Sequence, residues 1–374
     1  MKRIFLLLIL IPVFAFAESM YSPTWGFFID PPEGYVYIEG DGRDRFSFGG
    51  PMELMFDLVV YDGRFNSIQD LVNDVNTRLS NSGDFDFFQY YGKQAAILRL
   101  TFGNYSGWAA AVELDPQSGS SRRPILLALA YGPASIGELE LFHLSALDSI
   151  CPTFADNYYP GIITEYSYPR GEPINTPLGT TGLSALIFEN DAEAAQVLIE
   201  REFTILKAYI NTQYLQAACI RYYRAVYRDS YDRVRNAVSV IAWHLGGGSV
   251  FSAEQERAFA QRALSYVQNF QYERDLTESD FINLVTAVTE GVGDCDSRAM
   301  LFVLILNQVD IRSAMMISHY HSHAMGLADI SGYGARYDAF GIQWLVAETT
   351  DKIDIGLIDQ ELSDPQFWYA VRFE

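Results

Sequence analysis

Histidine, cysteine and positive charge are all scarce in this chain of 374 residues. It holds 5 His, 3 Cys and 26 Lys+Arg against 47 Asp+Glu, for a formal net charge of −21. Nucleic acids and anionic lipid surfaces are bound by clustered Lys and Arg, so this balance argues against both as partners. Cys151, Cys219 and Cys295 are odd in number and scattered, which excludes a disulfide framework. No CxxC spacing offers a structural zinc site. At most one pair of thiols can form, and the ordinary fate of a leftover thiol is that of a small buried hydrophobe. After the first residues no apolar run approaches the roughly 20 residues that cross a bilayer, so stable membrane insertion is not expected.

The N-terminus is "MKRIFLLLILIPVFAFAES". Lys2 and Arg3 precede an apolar core from Ile4 to Phe14, and Ala15-Phe16-Ala17 fits a small-x-small cleavage site. Residues 1–17 therefore read as a secretory signal peptide, and the product is expected to be exported, periplasmic or secreted. No cysteine follows the cleavage point, which argues against a lipoprotein anchor. Hydrophobic residues make up 49% and aromatic residues 14%, enough for real cores. The length suggests two domains on a prior of about 150 residues each.

Residues 24–153 have a mixed texture. Extended runs are expected around the turn in "WGFFIDPPEGYVYIEG", then at "MELMFDLVVYDG", "KQAAILRLTFG", "GWAAAVELD" and "RPILLALAYG". A helix is expected over "NSIQDLVNDVNTRLSNSG", capped by Asn66 or Ser67, with Ile68, Leu71, Val72, Val75 and Leu79 at helical spacing. Another closes the unit at "IGELELFHLSALDSI" and contains His143, read as structural. The opening "GFFIDPPEGY", the following "RDRFSF" and the strand-helix-strand middle resemble the PsbP-like α/β sandwich. That resemblance carries no catalytic set and implies a binding or positioning role.

Residues 154–184, rich in Pro, Gly, Tyr and Thr, read as a linker. Helical texture then runs from Asp191 to Leu245 and stops at Gly246-Gly247-Gly248. Its Tyr and Arg stripe reads as a packed face with a solvated side, and Cys219 and Cys151 as core. Ser252 and Gln255 have capping-box spacing for the next helix.

The chemistry concentrates further on. Tyr272 and Asp275 precede "GVGDCDSRAM", in which Cys295 lies between Asp294 and Asp296 at the start of an apolar helical run. His323 heads "HAMGLA", and Glu348 ends "WLVAE" before Thr349 and Thr350. Gly291 and Gly293 permit the tight backbone that delivers Cys295 to a helix start. A thiol there gains from the dipole and, beside a protonated imidazole, is expected to fall below its free pKa of about 8.5. The flanking aspartates oppose that shift unless they point away or cap the helix.

In this order, Cys295, His323 and an acid resemble the transglutaminase-like superfamily, including its bacterial cysteine-proteinase-like branch. The resemblance runs from about Ala253 to Ile358. It implies a papain-like fold for residues 185–360, helices packed on an antiparallel sheet, with residues 361–374 as a tail. It implies Cys295 as nucleophile, His323 as general base and acid, and Glu348 as the carboxylate that orients the imidazole. Glu stands where Asp is usual, so Asp351 and Asp354 are fallback orienters. The oxyanion donor is open between the backbone N–H of Cys295 and the side chain of Gln268. The implied activity is acyl transfer through a thioester, ending in hydrolysis or transamidation of a peptide or protein substrate, possibly in the cell envelope.

Two rival readings use the same residues. His319, His321 and His323 at spacing two would share a face of one continuous strand and, with Glu348, could bind zinc as a metal hydrolase. Alternatively the domain has lost its chemistry and serves as an exported binding module. The fold class expected is α+β with no cofactor, and no EF-hand-type loop calls for calcium.

Overall fold

A computed structural model describes residues 19–81, 83–179, 181–248, 252–274 and 279–373. The expected signal peptide and Asp275 lie outside the described residues. The fold is mixed α and β, with its two larger sheets antiparallel throughout.

The first of these has seven strands. Their spatial order is Val36–Gly40, Arg45–Gly49, Met55–Tyr61, Ile125–Pro133, Tyr105–Glu113, Lys93–Phe102 and Phe85–Tyr90. Alternation along the strands sorts side chains between two faces. Phe56, Leu58 and Val60 point to a core shared with Trp25, Phe27 and Tyr35. Ala96, Leu98 and Leu100 pack against Ile68, Leu71, Val72 and Val75 of the helix Ile68–Leu79. Ser67 caps that helix by accepting the Asp70 N–H.

Helix Glu140–Asp148 lies on the first face, and Ile205, Tyr209 and Ala218 of the helical half reach into the same core. His143 is buried there with Nε2 unpartnered, and burial pushes its pKa down to about 4. It is a neutral core side chain rather than a hydrogen-bonded one.

Residues 154–184, read as a linker, are built into the molecule. They contain a 3-10 turn, the helix Ile162–Ser167 and the start of a hairpin, Pro173–Leu178 with Leu183–Phe188. Ile162, Ile163 and Leu178 are buried, and the Asp148 carboxylate takes both the backbone N–H and hydroxyl of Thr164.

The helical run expected from Asp191 to Leu245 divides in two, Asp191–Ala208 and Leu215–His244. Asn211 at φ 66 turns the chain between them. Glu202 of the first helix accepts from Arg201, from Arg221 of the second and from Ser145 of the first half, at 2.9, 2.6 and 2.9 Å. Arg228 donates to the carbonyls of Asp148, Ile150 and Tyr159. These are charge-assisted, buried bonds, so each partner is costly to remove alone. The helix Ala253–Gln268 follows, with the Ser252–Gln255 capping box formed.

The second sheet has five strands, in the order Arg336–Ala339, Ile342–Ala347, His323–Ala328, Ser313–Ser318 and Tyr369–Val371. Residues 361–374, read as a tail, supply that last strand, and Phe373 stacks on Tyr227 with ring centroids 4.2 Å apart. Every residue of Ser313–Ser318 is buried because both faces are covered. Met315 and Ile317 face the helix Cys295–Asn307, while Ala314 and Met316 face a smaller core with Trp344 and Trp368. The Cys295–Asn307 helix is apolar nearly all round, as a helix enclosed by other elements must be.

Gly326 is the tightest point of that packing. A Cβ there would lie 2.4 Å from Cδ1 of Phe302, on the helix that begins with Cys295. Gly326→Ala should therefore cost about 1–3 kcal/mol by overpacking. Urea unfolding monitored by tryptophan fluorescence tests this, and an unchanged midpoint would contradict it.

A second prediction concerns pH. Burial pushes Glu33 up to about 7, partly offset by the Arg221 guanidinium and reinforced by Asp30. The folded state then keeps a proton that the unfolded chain releases near 4.5, so stability falls as pH rises from about 4.5 to 7. Glu33→Gln removes that component, and the variant should gain roughly 3 kcal/mol on the parent across this window. Parallel curves for the two proteins would sink the assignment.

Candidate active site at the Cys295 helix

Backbone geometry sets the approach to Cys295. Gly291 has φ 71, in the left-handed region that glycine adopts without strain. Gly293 is needed for space, because a Cβ there would meet the Ser297 hydroxyl at 2.7 Å. Asp294 is the N-cap, and its Oδ1 accepts the Ser297 N–H at 2.8 Å and the Ser297 hydroxyl at 2.5 Å. Cys295 is thus the first residue of the helix and is only 3% exposed.

His323 is the first residue of its strand, and the backbone N–H of the adjoining Ala324 lies near enough to the Cys295 sulfur to act on its pKa. His323 Nε2 meets Glu348 Oε2 at 2.8 Å, which leaves Nδ1 as the ring nitrogen free for another partner. Glu348 ends up 2% exposed. Its Oε1 accepts the backbone N–H and the hydroxyl of Thr350, at 2.7 and 2.6 Å. Burial opposes its charge, but His323 and Thr350 outweigh that and hold the carboxyl below its usual range. The structure therefore pairs His323 with Glu348 and places the residue after His323 near the Cys295 sulfur.

The fallback acids are not used here. Asp351 and Asp354 are exposed, and Glu348 is the carboxylate on the imidazole. Gln268 does not serve as an oxyanion donor. Its Nε2 donates to the carbonyls of Glu348 and Ile353, at 2.8 and 3.0 Å, so both its N–H groups are spent on the chain after the Ile342–Ala347 strand. The Cys295 N–H remains as the candidate, at a helix start where intrahelical acceptors are lacking.

The zinc arrangement is not formed. The strand Ser313–Ser318 ends before His319, and the next begins at His323, with a turn between them containing Ser322 at φ 49. His319 Nε2 contacts the Tyr369 hydroxyl, and His321 stacks on Trp368. Among the described residues, the one group of metal-capable side chains that converges is Asp280, Asp294 and Asp296, with no histidine.

Several site residues carry no signal in the sequence. Arg298, buried within the helix, donates to the carbonyls of Gly293, Phe270 and Thr349 and so ties the cysteine turn to the Glu348 strand end. Tyr223, from the Leu215–His244 helix, donates to Asp296 Oδ1 at 2.6 Å. Trp368 packs edge-on to His323 at 6.2 Å between centroids. These partners lie far apart along the chain, and only for Thr350, two residues after Glu348, could local order have pointed to the role.

The electrostatics differ from the expected lowered thiol. Burial first, then Asp296 and Asp294, push the Cys295 thiol far up, and the Ala324 N–H offsets only part of this. The thiol donates toward Asp296 Oδ2 at 3.7 Å. Burial also raises both aspartates, each beside other carboxylates. At rest the sulfur keeps its proton. Cys151 and Cys219 are free and buried too, raised to about 11 and about 12 by burial.

No protein-family model and no curated protein matches the chain. Among solved structures, one described as a "putative protease" from Parabacteroides distasonis is similar at 13% identity with a TM-score of 0.22. The likeness covers 66% of this chain and 40% of that one, so this chain spans well under half of that protein's length. A likeness this loose carries no argument about fold or activity.

The electrostatic reading of the thiol is testable. Asp296→Asn removes a carboxylate next to Cys295 and should lower the thiol pKa, speeding iodoacetamide alkylation at pH 8 by about tenfold or more. Peptide mass spectrometry reads the rate, with Cys151 and Cys219 as internal controls. An unchanged Cys295 rate would mean that Asp296 does not govern the thiol.

Proposed function

We propose that the protein is a cysteine-dependent acyl-transfer enzyme of the transglutaminase-like type, acting on amide bonds of peptides or proteins. The observation that carries this is the His323–Glu348 pair, closed at 2.8 Å on the strand whose next residue, Ala324, lies near enough to the Cys295 sulfur to act on its pKa. A carboxylate on one imidazole nitrogen fixes the tautomer and leaves the other to exchange a proton with the nucleophile.

In this reading Cys295 gives its proton to His323 as the sulfur attacks the substrate carbonyl. The imidazolium then protonates the departing amine, and a thioester remains on Cys295. Water, deprotonated by His323, adds to the thioester, and the sulfur leaves and recovers its proton. The carboxylic acid departs. An amine in place of water completes transamidation. Hydrolysis is the favoured outcome, giving a peptidase or amidase. Because the resting thiol is neutral, proton transfer accompanies attack rather than preceding it.

The chain is further proposed to be exported through residues 1–17, to the periplasm or beyond. The seven-stranded first half, with its likeness in sequence to PsbP-like sandwiches, is proposed to position the substrate or a partner. A second reading keeps one observation in its favour. Cys295 is 3% exposed and flanked by carboxylates, as would suit a retired nucleophile in a binding module.

The deciding experiment incubates the protein with a complex peptide library, with and without a primary amine, and reads new termini and amine adducts by mass spectrometry. Wild-type protein should cleave. Cys295→Ala should abolish cleavage, His323→Ala should lower it by about 10²–10⁴, and Glu348→Gln by up to about 10⁴ through the wrong tautomer. Cleavage that survives Cys295→Ala would refute the reading. An inert wild type would favour the binding module.

A further inference from the structure

A cleft between the two halves carries charge of both signs that the surrounding packing leaves unanswered. Asp30 and Glu33 follow the short strand Phe28–Ile29 of the first half, while Arg221 and Arg224 lie on the helix Leu215–His244. All four line a cleft of about 570 Å³, together with the apolar Pro31 and Ile220. That volume falls within the roughly 300–1,000 Å³ of ordinary ligand pockets, which favour boundaries of this kind. Asp30, Arg221 and Arg224 also line a smaller cavity of about 160 Å³ beside it.

The polar groups there are incompletely partnered. Arg221 is 5% exposed, and its Nε has no hydrogen-bond partner, although Nη2 holds Glu202 at 2.6 Å. Oε2 of Glu33 is buried without one as well, and it stands 3.6 Å from that Nε, too far for a hydrogen bond. Among the described residues nothing hydrogen-bonds the Asp30 carboxylate, and burial raises it despite the charges of Arg221, Arg224 and Arg228. Arg224 is exposed and spends only Nε, on the Arg372 carbonyl at 3.3 Å. Buried polar groups left in this state are costly and call for a partner.

The signs of the charges limit what that partner is. Two carboxylates and two guanidiniums face the larger cleft. A simple anion would leave Asp30 unanswered, and a simple cation would leave Arg224 so. A metal ion is disfavoured further, because Asp30 and Glu33 do not converge with a third ligand among the described residues. We propose that the cleft binds a small zwitterion, a free α-amino acid or a dipeptide, with its ammonium on Asp30 and its carboxylate on Arg224. An ammonium brings three donors, and a guanidinium fork matches a carboxylate in two parallel bonds. The facing Arg221 Nε and Glu33 Oε2 offer one further donor and acceptor. Pro31 and Ile220 give apolar surface to a small side chain. Binding here does not depend on Cys295 being a nucleophile.

The test screens the thermal midpoint of the full chain against each standard L-amino acid and against dialanine, since a ligand of the folded state raises it. Calorimetry then follows the strongest compound. The expected result is one ligand per chain, with binding at least tenfold weaker for its amide, which lacks the carboxylate, and for its N-acetyl form, which lacks the ammonium. Asp30→Asn and Arg224→Gln should each weaken it at least tenfold, and whether an amino acid or dialanine binds names the source. Cys295→Ala should bind as the parent does, so a failed nucleophile assignment and a failed ligand site give different results. The proposal is overturned if no compound raises the midpoint, if the amide and N-acetyl forms bind as well as the ligand, or if Arg224→Gln binds like the parent. Should Asp30→Asn not fold, Arg224→Gln decides, because that side chain is exposed.

Discussion

The site depends on how one apolar helix is enclosed. Cys295–Asn307 has almost no solvated face, so it is stable only where other elements cover it on every side. The strands Ser313–Ser318 and His323–Ala328 cover one side, and the helices Leu215–His244 and Ala253–Gln268 cover others. At Gly326 the backbone of the His323 strand approaches Phe302 so closely that no side chain fits between them. Dense packing of this kind leaves the helix no room to slide or turn. The start of the helix, Cys295, is thereby held near the start of the strand, where His323 and Ala324 stand.

Polar contacts then align what packing has brought close. Arg298, Gln268 and Thr350 bind the carbonyls and the carboxylate around Glu348, so the acid that meets His323 is held from both its backbone and its side chain. Such surrounding bonds are what keep a reactive constellation in register. The negative charge near the sulfur works the other way. The helix dipole favours a thiolate, but burial and two adjacent carboxylates outweigh it. A dipole contributes around a kcal/mol or less at most sites, whereas desolvating a charge costs several.

The two halves are coupled by the same principle. Glu202, Arg201, Arg221 and Asp148 form a buried network across the boundary, and the first core takes in Ile205, Tyr209 and Ala218 of the helical half. Proline and glycine between 154 and 184 suggest a loose connection when read along the chain. Those residues instead belong to short packed elements or join them, with Pro173 and Pro177 inside the strand Pro173–Leu178 and Gly161 capping the helix Ile162–Ser167. The last residues suggest a tail for a similar reason, since three residues of strand are too few to show a period.

Local chemistry was legible in the sequence by itself. Ser67 and Ser252 start helices because their hydroxyls satisfy backbone N–H groups a few residues on. Gly291 and Gly293 mark the tight turn, and the apolar run after Cys295 marks an enclosed helix. The order of Cys295, His323 and Glu348 marked the candidate site. What depends on distance through space was not legible. Along the chain the histidine row was open between one strand and two strands joined by a turn at Tyr320 to Ser322, and the tertiary structure ended a strand at Ser318 and so broke the row. It alone committed Gln268 to carbonyls, and it set Asp280 from a separate segment against Asp294 and Asp296. Charge and burial at a point are summed over every element that packs there, and a linear sequence orders residues along one of those elements at a time.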